Sequence, residues 1–545
     1  MRRLALIATL AVAMGLGSLM GAGRAMAATV VVDDDGQATA ADCDSATATP
    51  YTTISAAVTA SAGGDTIVVC PGTYDERLVI DEQITLSGSG GGSTIVQNTA
   101  VPSGPNAGDF ADVQLTTGAS GTVIQDITFD FNGTDGTRQG WGIVISDFNG
   151  PAVTGVQVLN NEIFLGKGSG AASIGEGVGI QTGKNADVGG LVVSGNSFHG
   201  DQAAGVGSEG IYINPVAGGG SVTIADNTFD GHLFVGVSIE SGNVTVSNNS
   251  IVDTIAPNTA GTHGVRVNDF VGEVSYDNIV LNGNAIDGFE NGMRLGSGAS
   301  AASTLTVNAQ GNVITGNTRG VWVRYDAVPT IEGGIICGNT TGIEVLSSAV
   351  FSAQGNWWGD ASGPTHPSNA GGSGDSVVDG GNGGSGTVDF DPWIDTITGS
   401  ADAATEGSPS GVSFQFSDAA GTVFLGEGAG PFEVTTDNGT VDPATAFINA
   451  PDGTVDVTLT PDQAGTATVT ITGPCGLDDT LGGNSQVLNV AAAPVGPTPT
   501  PSQLPETGGA PASGGNGVAL ALALAAGSVA LLGAGGALVA VRRRR

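Results

Sequence analysis

The chain has 545 residues, too many for one ordinary domain unless a repeat fold stretches the count. Hydrophobic residues at 40% exclude a disordered acidic tail, while aromatics at 5% and 92 glycines argue against a large conventional aromatic core. Lys and Arg number 15 against 52 Asp and Glu, which excludes sequence-independent binding to nucleic-acid phosphates, and four cysteines exclude a miniature disulfide scaffold.

In chain order, Arg2 and Arg3 precede an apolar run that ends at Ala25-Met26-Ala27. A basic start, an apolar stretch and a small-x-small end form a secretory signal peptide over 1–27, cut between Ala27 and Ala28. Asp33-Asp34-Asp35-Gly36 lacks the spacing of a Ca²⁺ loop and reads as a polar turn after a strand at Thr29 to Val32. Residues 51–62 place Ile54, Ala57, Val58 and Ala62 at helical spacing before Gly63-Gly64. Cys43 and Cys70 bracket this segment, and in a secreted chain we expect them to form a disulfide. Closing that loop is worth roughly 3–4 kcal/mol on the chain-entropy account.

Internal repeats dominate the middle. Segments that open on glycine recur at 142, 177, 210, 236, 264, 292, 320 and 342, from GIVIS to GIEVL. Positions one and three after the glycine are always aliphatic or Met; positions two and four are mostly polar or variable. This is strand alternation with one buried face. A second set interleaves with the first, each member a short strand, an asparagine and an apolar residue. Its asparagines are Asn196, Asn227, Asn249, Asn284 and Asn312. They are expected at tight left-handed corners, stacked as an amide ladder.

Short strands and sharp turns every 22–35 residues make coils that stack in parallel. The segments resemble the right-handed parallel β-helix of pectate-lyase-like proteins. A leucine-rich horseshoe would need a regular leucine spacing that is absent. The resemblance covers the domain 28–395, capped at its start by the 51–62 segment. At its end, NWWGDASGPTHPS (356–368) and VDFDPWI (388–394) resemble the closing segment of such repeat proteins. We read Trp357, Trp358 and Trp393 there as a plug on the last coil rather than as sugar platforms.

Residues 400–492 alternate with period two between Gly, Pro and Asp turns, and resemble an immunoglobulin-like sandwich that would serve as a stalk. With Cys337 in the solenoid and Cys475 here, both are expected to be unpaired. A Pro-rich linker follows at 493–503. Leu504-Pro505-Glu506-Thr507-Gly508, an uncharged run at 518–541 and Arg542 to Arg545 come in that order. Twenty-four helical residues span about 36 Å, enough to cross a bilayer. The three-part order over 504–545 resembles the cell-wall sorting signal of Gram-positive surface proteins. It implies sortase cleavage between Thr507 and Gly508 and attachment to peptidoglycan, with a membrane helix before sorting.

The position two residues after each glycine reads Val144, Gly179, Tyr212, Ser238, Arg266, Arg294, Trp322 and Glu344; the position four after reads Ser146, Gln181, Asn214, Glu240, Asn268, Gly296, Arg324 and Leu346. Tyr212, Arg266, Arg294, Trp322 and Arg324 thus share one outer face. Guanidinium forks pair with carboxylates and aromatic rings stack on sugars, so the face is a candidate polysaccharide groove. The resemblance also implies an alternative, a lyase with carboxylate-held Ca²⁺ and an Arg base. Arg266 and Arg294 are its weak catalytic candidates, with Glu240, Asp253, Asp269 and Asp277 nearby in sequence. Thr262-His263-Gly264 and Arg266-Val267-Asn268 depart from the Gly-His-Gly and Arg-x-Lys motifs of the hydrolase relatives. His199, His232, His263 and His366 fall near predicted turns and do not cluster. The expectation is an all-β, monomeric, wall-anchored surface protein that serves adhesion or polysaccharide binding, without catalysis and without cofactor or metal. A lyase or hydrolase acting on an acidic polymer, and a bare structural coat, are the alternatives.

Overall fold

The computed structural model describes residues 27–34, 50–99, 111–131, 141–147, 149–166, 177–201, 207–267, 277–297, 305–325, 327–380, 385–422, 429–449, 453–476, 481 and 483–494. The predicted membrane span, the sorting motif with Thr507 and Gly508, and Cys43 lie outside these residues. No helix among those described is long and apolar enough to cross a membrane.

The body to about residue 390 is a parallel β-helix. Each coil contributes one strand to each of three sheets, as in Trp141–Ile145, Gln157–Leu159 and Glu162–Phe164. Sheet A stacks 11 strands, from Thr29–Val32 to Ala327–Glu332; sheet B stacks 10, from Gly72–Asp75 to Ile335–Cys337. Sheet C stacks 12, including Leu78–Ile80 and Gly374–Val378. Successive coils pair in parallel, as with Ile143 opposite Ile180 and Val158 opposite Val193. The aliphatic positions of the repeats point inward and form one continuous core.

The amide ladder lies at the corner between sheets A and B. Asn161, Asn196, Asn227, Asn249, Asn284 and Asn312 each hand a side-chain amide to the next at 2.9–3.0 Å. Each of their Nδ2 atoms also donates to a backbone carbonyl, from Ile124 to Leu281. All six are buried. The left-handed residue at each corner is the one before the ladder asparagine, not the asparagine itself: Asn160, Gly195, Asp226, Asn248, Gly283 and Gly311 have φ between 53° and 69°. That turn swings the following amide inward, under the corner.

The glycine that opens each repeat is a packing requirement. A Cβ on Gly264 would lie 2.3 Å from Ile286 Cγ2 and 2.7 Å from the Gly292 carbonyl; one on Gly292 would meet the Gly320 carbonyl at 2.7 Å. At the start of the solenoid, the helix Ile54–Ala60 buries Ile54, Ala57 and Val58. The helix stops before Ala62, which is exposed. Thr53 accepts from Ala56 N–H, and the Glu76 carboxylate takes the Ile54 and Ser55 amides at 2.6 and 2.9 Å. A carboxylate at a helix N-terminus is favourable both as acceptor and against the dipole. Asp33 is buried directly after the first strand, and Asp34 forms a turn.

At the far end Trp357 and Trp358 are fully buried, Trp358 in the solenoid core and Trp357 in a second core. Trp393 donates to the Ala361 carbonyl. The second core belongs to two sheets of four and five strands between Thr396 and Ala491, almost all paired antiparallel. Solenoid residues Val313, Ile335, Cys337 and Trp357 share it. Cys337 and Cys475 are disulfide-bonded across it, with Cα atoms 6.1 Å apart, against the expectation that both are unpaired. A separation of 138 residues carries no sequence signature; packing of the sandwich on sheet B makes the contact. Cys70 is also disulfide-bonded.

Candidate functional site

The outer face of sheet C carries an in-register column: Gln114, Val144, Gln181, Tyr212, Ser238, Arg266, Arg294, Trp322 and Glu344. Gln181, not Gly179, occupies the place below Tyr212. The repeat at GVGIQTG aligns through Gly179, so Ile180 opposes Ile143 and Ile211. Inner side chains dictate this register, because a shift would empty the core. Consequently Gly183, whose N–H donates to the Ile145 carbonyl, replaces Gln181 in the column with Ser146.

Tyr212, Arg266, Arg294, Trp322 and Arg324 do share this face, within five consecutive coils. Their environments differ. Arg266 is buried; its Nη2 meets Glu209 Oε1 at 2.6 Å, and its Nε and Nη2 donate to Ser238 Oγ at 3.1 and 2.9 Å. It lies 5.9 Å from the Phe234 ring centroid. Tyr212 is covered, 3% exposed, beside the Glu240 carboxyl. Burial, then the Glu240 charge, hold its hydroxyl far above the usual phenol range.

Glu240 is 2% exposed, and one of its oxygens has no hydrogen-bond partner. Burial raises its pKa to about 7, against the pull of Tyr212 and the Arg266 charge. Burial likewise pushes Glu209 upward, and the Arg266 guanidinium pulls it back. His263 opens the strand His263–Val267 rather than sitting in a turn, and its Nδ1 is 3.2 Å from Asn291 Nδ2. Burial and then the Arg294, Arg266 and Arg324 charges hold it neutral, well below the usual imidazole range.

Three guanidiniums surround Trp322. The centroid distances are 4.2 Å for Arg324, 5.0 Å for Arg319 and 5.9 Å for Arg294. Arg319 is neutralised by Glu290 and Glu344. Arg294 meets no carboxylate among the described residues, and its Nε is buried without a partner. Burial, then repulsion from Arg324 and Arg266, lower its pKa to about 10. In a chain of net charge −37, this clustering of like positive charges is an electrostatic cost that an anion would relieve.

The carboxylates considered for Ca²⁺ do not converge. Asp253 is buried against His232, 2.7 Å away, and Asp277 lies at sheet A near Thr306. Asp269 lies outside the described residues. No group of three or more His, Cys, Asp or Glu among the described residues could hold a metal, so a Ca²⁺ ion does not fit them. Glu209 carries no repeat signal because it precedes the repeat glycine by one; His263, at the same place in its repeat, stands out in the sequence only as a departure from a hydrolase motif near a turn. That position, Glu209, Val235, His263, Asn291, Arg319 and Thr341, is a third column of the same face.

No protein family and no curated protein matches the chain. Among solved structures, it is similar to the A-module of a mannuronan C-5 epimerase from Azotobacter vinelandii. That likeness has 16% identity and a TM-score of 0.40, and covers 62% of this chain and 88% of that one. The tailspike of E. coli bacteriophage HK620, in complex with a pentasaccharide, aligns with 12% identity and a TM-score of 0.30 over 77% and 87%. A pectin methylesterase in complex with a hexasaccharide aligns with 12% identity and a TM-score of 0.28 over 74% and 90%.

Proposed function

We propose that the protein is an exported surface protein that binds an acidic polysaccharide along the outer face of sheet C. The observation that carries this reading is Arg294, half-buried beside Trp322 and Arg324, with a donor unused and no counter-charge among the described residues. A uronate would supply the missing negative charge, its ring face would stack on Trp322, and its carboxylate would take the guanidinium fork. The solenoid, right-handed in this reading, presents the groove. The immunoglobulin-like sandwich and Pro-rich linker carry it away from a sortase-made link at Thr507 to peptidoglycan, with Gly508 onward left in the membrane. Support for the export step comes from the first strand. Ala28 N–H donates to Asp65 Oδ1 at 2.7 Å, so cleavage after Ala27 would set a new ammonium group against that carboxylate.

Binding is tested by retention on an immobilised polyuronate, read together with Trp fluorescence. Wild type should be retained, release should follow rising salt, and Arg294→Ala should weaken retention at least tenfold. Equal retention of Arg294→Ala, or none by wild type, overturns the reading. One observation favours a catalytic alternative: Glu240, with a free oxygen and a pKa of about 7, is poised to move a proton near neutral pH. Product release from the same polyuronate that disappears in Glu240→Gln would establish it.

A further inference from the structure

A second cleft, of about 670 Å³, opens where the sandwich rests against the corner between sheets A and B, whereas the arginine face lies on sheet C of the same coils. Its solenoid wall is made by successive corners at Asp226, Asn248 and Gly283, all left-handed. Stacked coils repeat every ~4.8 Å, so the polar tips of Asp226 and Asn248 are spaced close to one pyranose ring, with Gly283 one coil further on. Its opposite wall is the sandwich segment Phe447 to Asn449 with Pro431. Phe447 is 51% exposed, the most exposed aromatic side chain named among the described residues. A Cβ on Gly430 would lie 2.8 Å from Phe447 Cδ1, so the absence of a side chain at Gly430 leaves the ring its place.

From this geometry we infer that the cleft is a second carbohydrate site, which takes a neutral, hydroxyl-rich oligosaccharide between Phe447 and the Asp226–Asn248 row. An exposed ring offers a flat apolar surface to the C–H face of a sugar, while amides and a carboxylate offer hydrogen bonds to its hydroxyls. The Asp226 carboxylate, and the absence of any Lys, Arg or His in the lining among the described residues, oppose an acidic ligand. The two sites therefore differ in ligand charge, and this inference does not rest on the arginine face. The Cys337–Cys475 disulfide and the shared core hold the two walls together.

The test is calorimetric titration of the full chain with neutral hexaoses (cellohexaose, xylohexaose, mannohexaose and chitohexaose), with and without a saturating hexauronate. At least one neutral hexaose should bind, and hexauronate should not displace it. Phe447→Ala should weaken that binding about tenfold, Gly430→Ala should weaken it as well, and Phe447→Tyr should retain it. The melting temperature of Phe447→Ala should match wild type, since the ring is half exposed. No binding across the panel, displacement by hexauronate, or binding unchanged in Phe447→Ala would each overturn the inference.

Discussion

Glu240 is a carboxyl group that folding makes harder to ionise. Below about pH 4.5 it is protonated in both the folded and the unfolded chain. Between about 4.5 and 7 the folded chain keeps a proton that the unfolded chain has lost, so stability falls as pH rises through this window and stays reduced above it. Gln at this position stays neutral throughout. Glu240→Gln should therefore gain on wild type between pH 5 and pH 8, by about 1–3 kcal/mol. His263 and Glu209 titrate in both proteins, so the difference in melting temperature isolates the one carboxyl. A difference that stays flat with pH would show that Glu240 is ionised in the folded state. The five face residues were legible because strand alternation assigns them to one side. Glu209 was not, and His263 was legible only as a motif departure, because a position next to the repeat glycine has no fixed polarity: Val235 and Thr341 occupy it too. The offset at Gln181 has an equally plain cause. Gly177 and Gly179 both suit the repeat's opening, and the choice between them is made by Ile180 finding Ile143 and Ile211 across the coils.

At the scale of the element, the ladder is a line of groups that satisfy one another. Removing Asn249 leaves the backbone N–H and Nδ2 of Asn227 without their shared acceptor, and the Ile224 carbonyl without its donor, all in the interior. Buried polar groups left unpaired cost ~1–3 kcal/mol each, partly offset by relaxation, so Asn249→Ala should destabilise the solenoid by about 2–4 kcal/mol. The neighbouring Asn248 is exposed and left-handed at φ 55°. Asn248→Gly should change stability by less than ~0.5 kcal/mol, because glycine adopts that conformation freely. Denaturant unfolding of the pair checks both; equal losses would mean that the ladder is not a structural unit. Five of the six ladder asparagines, all but Asn161, were readable from spacing, since they recur at one place in each repeat. Which corner residue turns left-handed was not: Gly195 and Gly283 hint at it, but Asp226 and Asn248 share the role, and only backbone geometry separates them from the asparagines beside them.

On the scale of the whole molecule, the disulfide changes how force would pass through the chain. In chain order the antiparallel sheets come between the solenoid and the C-terminal segment, so tension from the proposed wall attachment would enter the sandwich through its last strand, Ser485–Ala491. Cys475 precedes that strand and Cys337 closes the last strand of sheet B. When oxidised, the bond passes load directly from one to the other, and the chain between them cannot extend. Trp357, Phe414 and Phe432 of the shared core lie inside the locked segment and are then shielded from the pull. Single-molecule stretching from the N-terminal end of the solenoid to residue 493 measures this. Complete extension of the oxidised wild type should fall short of that of oxidised Cys475→Ser by the locked segment, a comparison that leaves the Cys70 disulfide in place. With 138 residues of separation and at most ~3.6 Å per residue, that is roughly 500 Å, less the short span of the crosslink itself. Cys475→Ser should show the longer extension, with an added low-force event as the sandwich unfolds by itself. Identical extensions of oxidised wild type and oxidised Cys475→Ser would show that the bond does not form, and the sandwich would then be held to sheet B by packing alone.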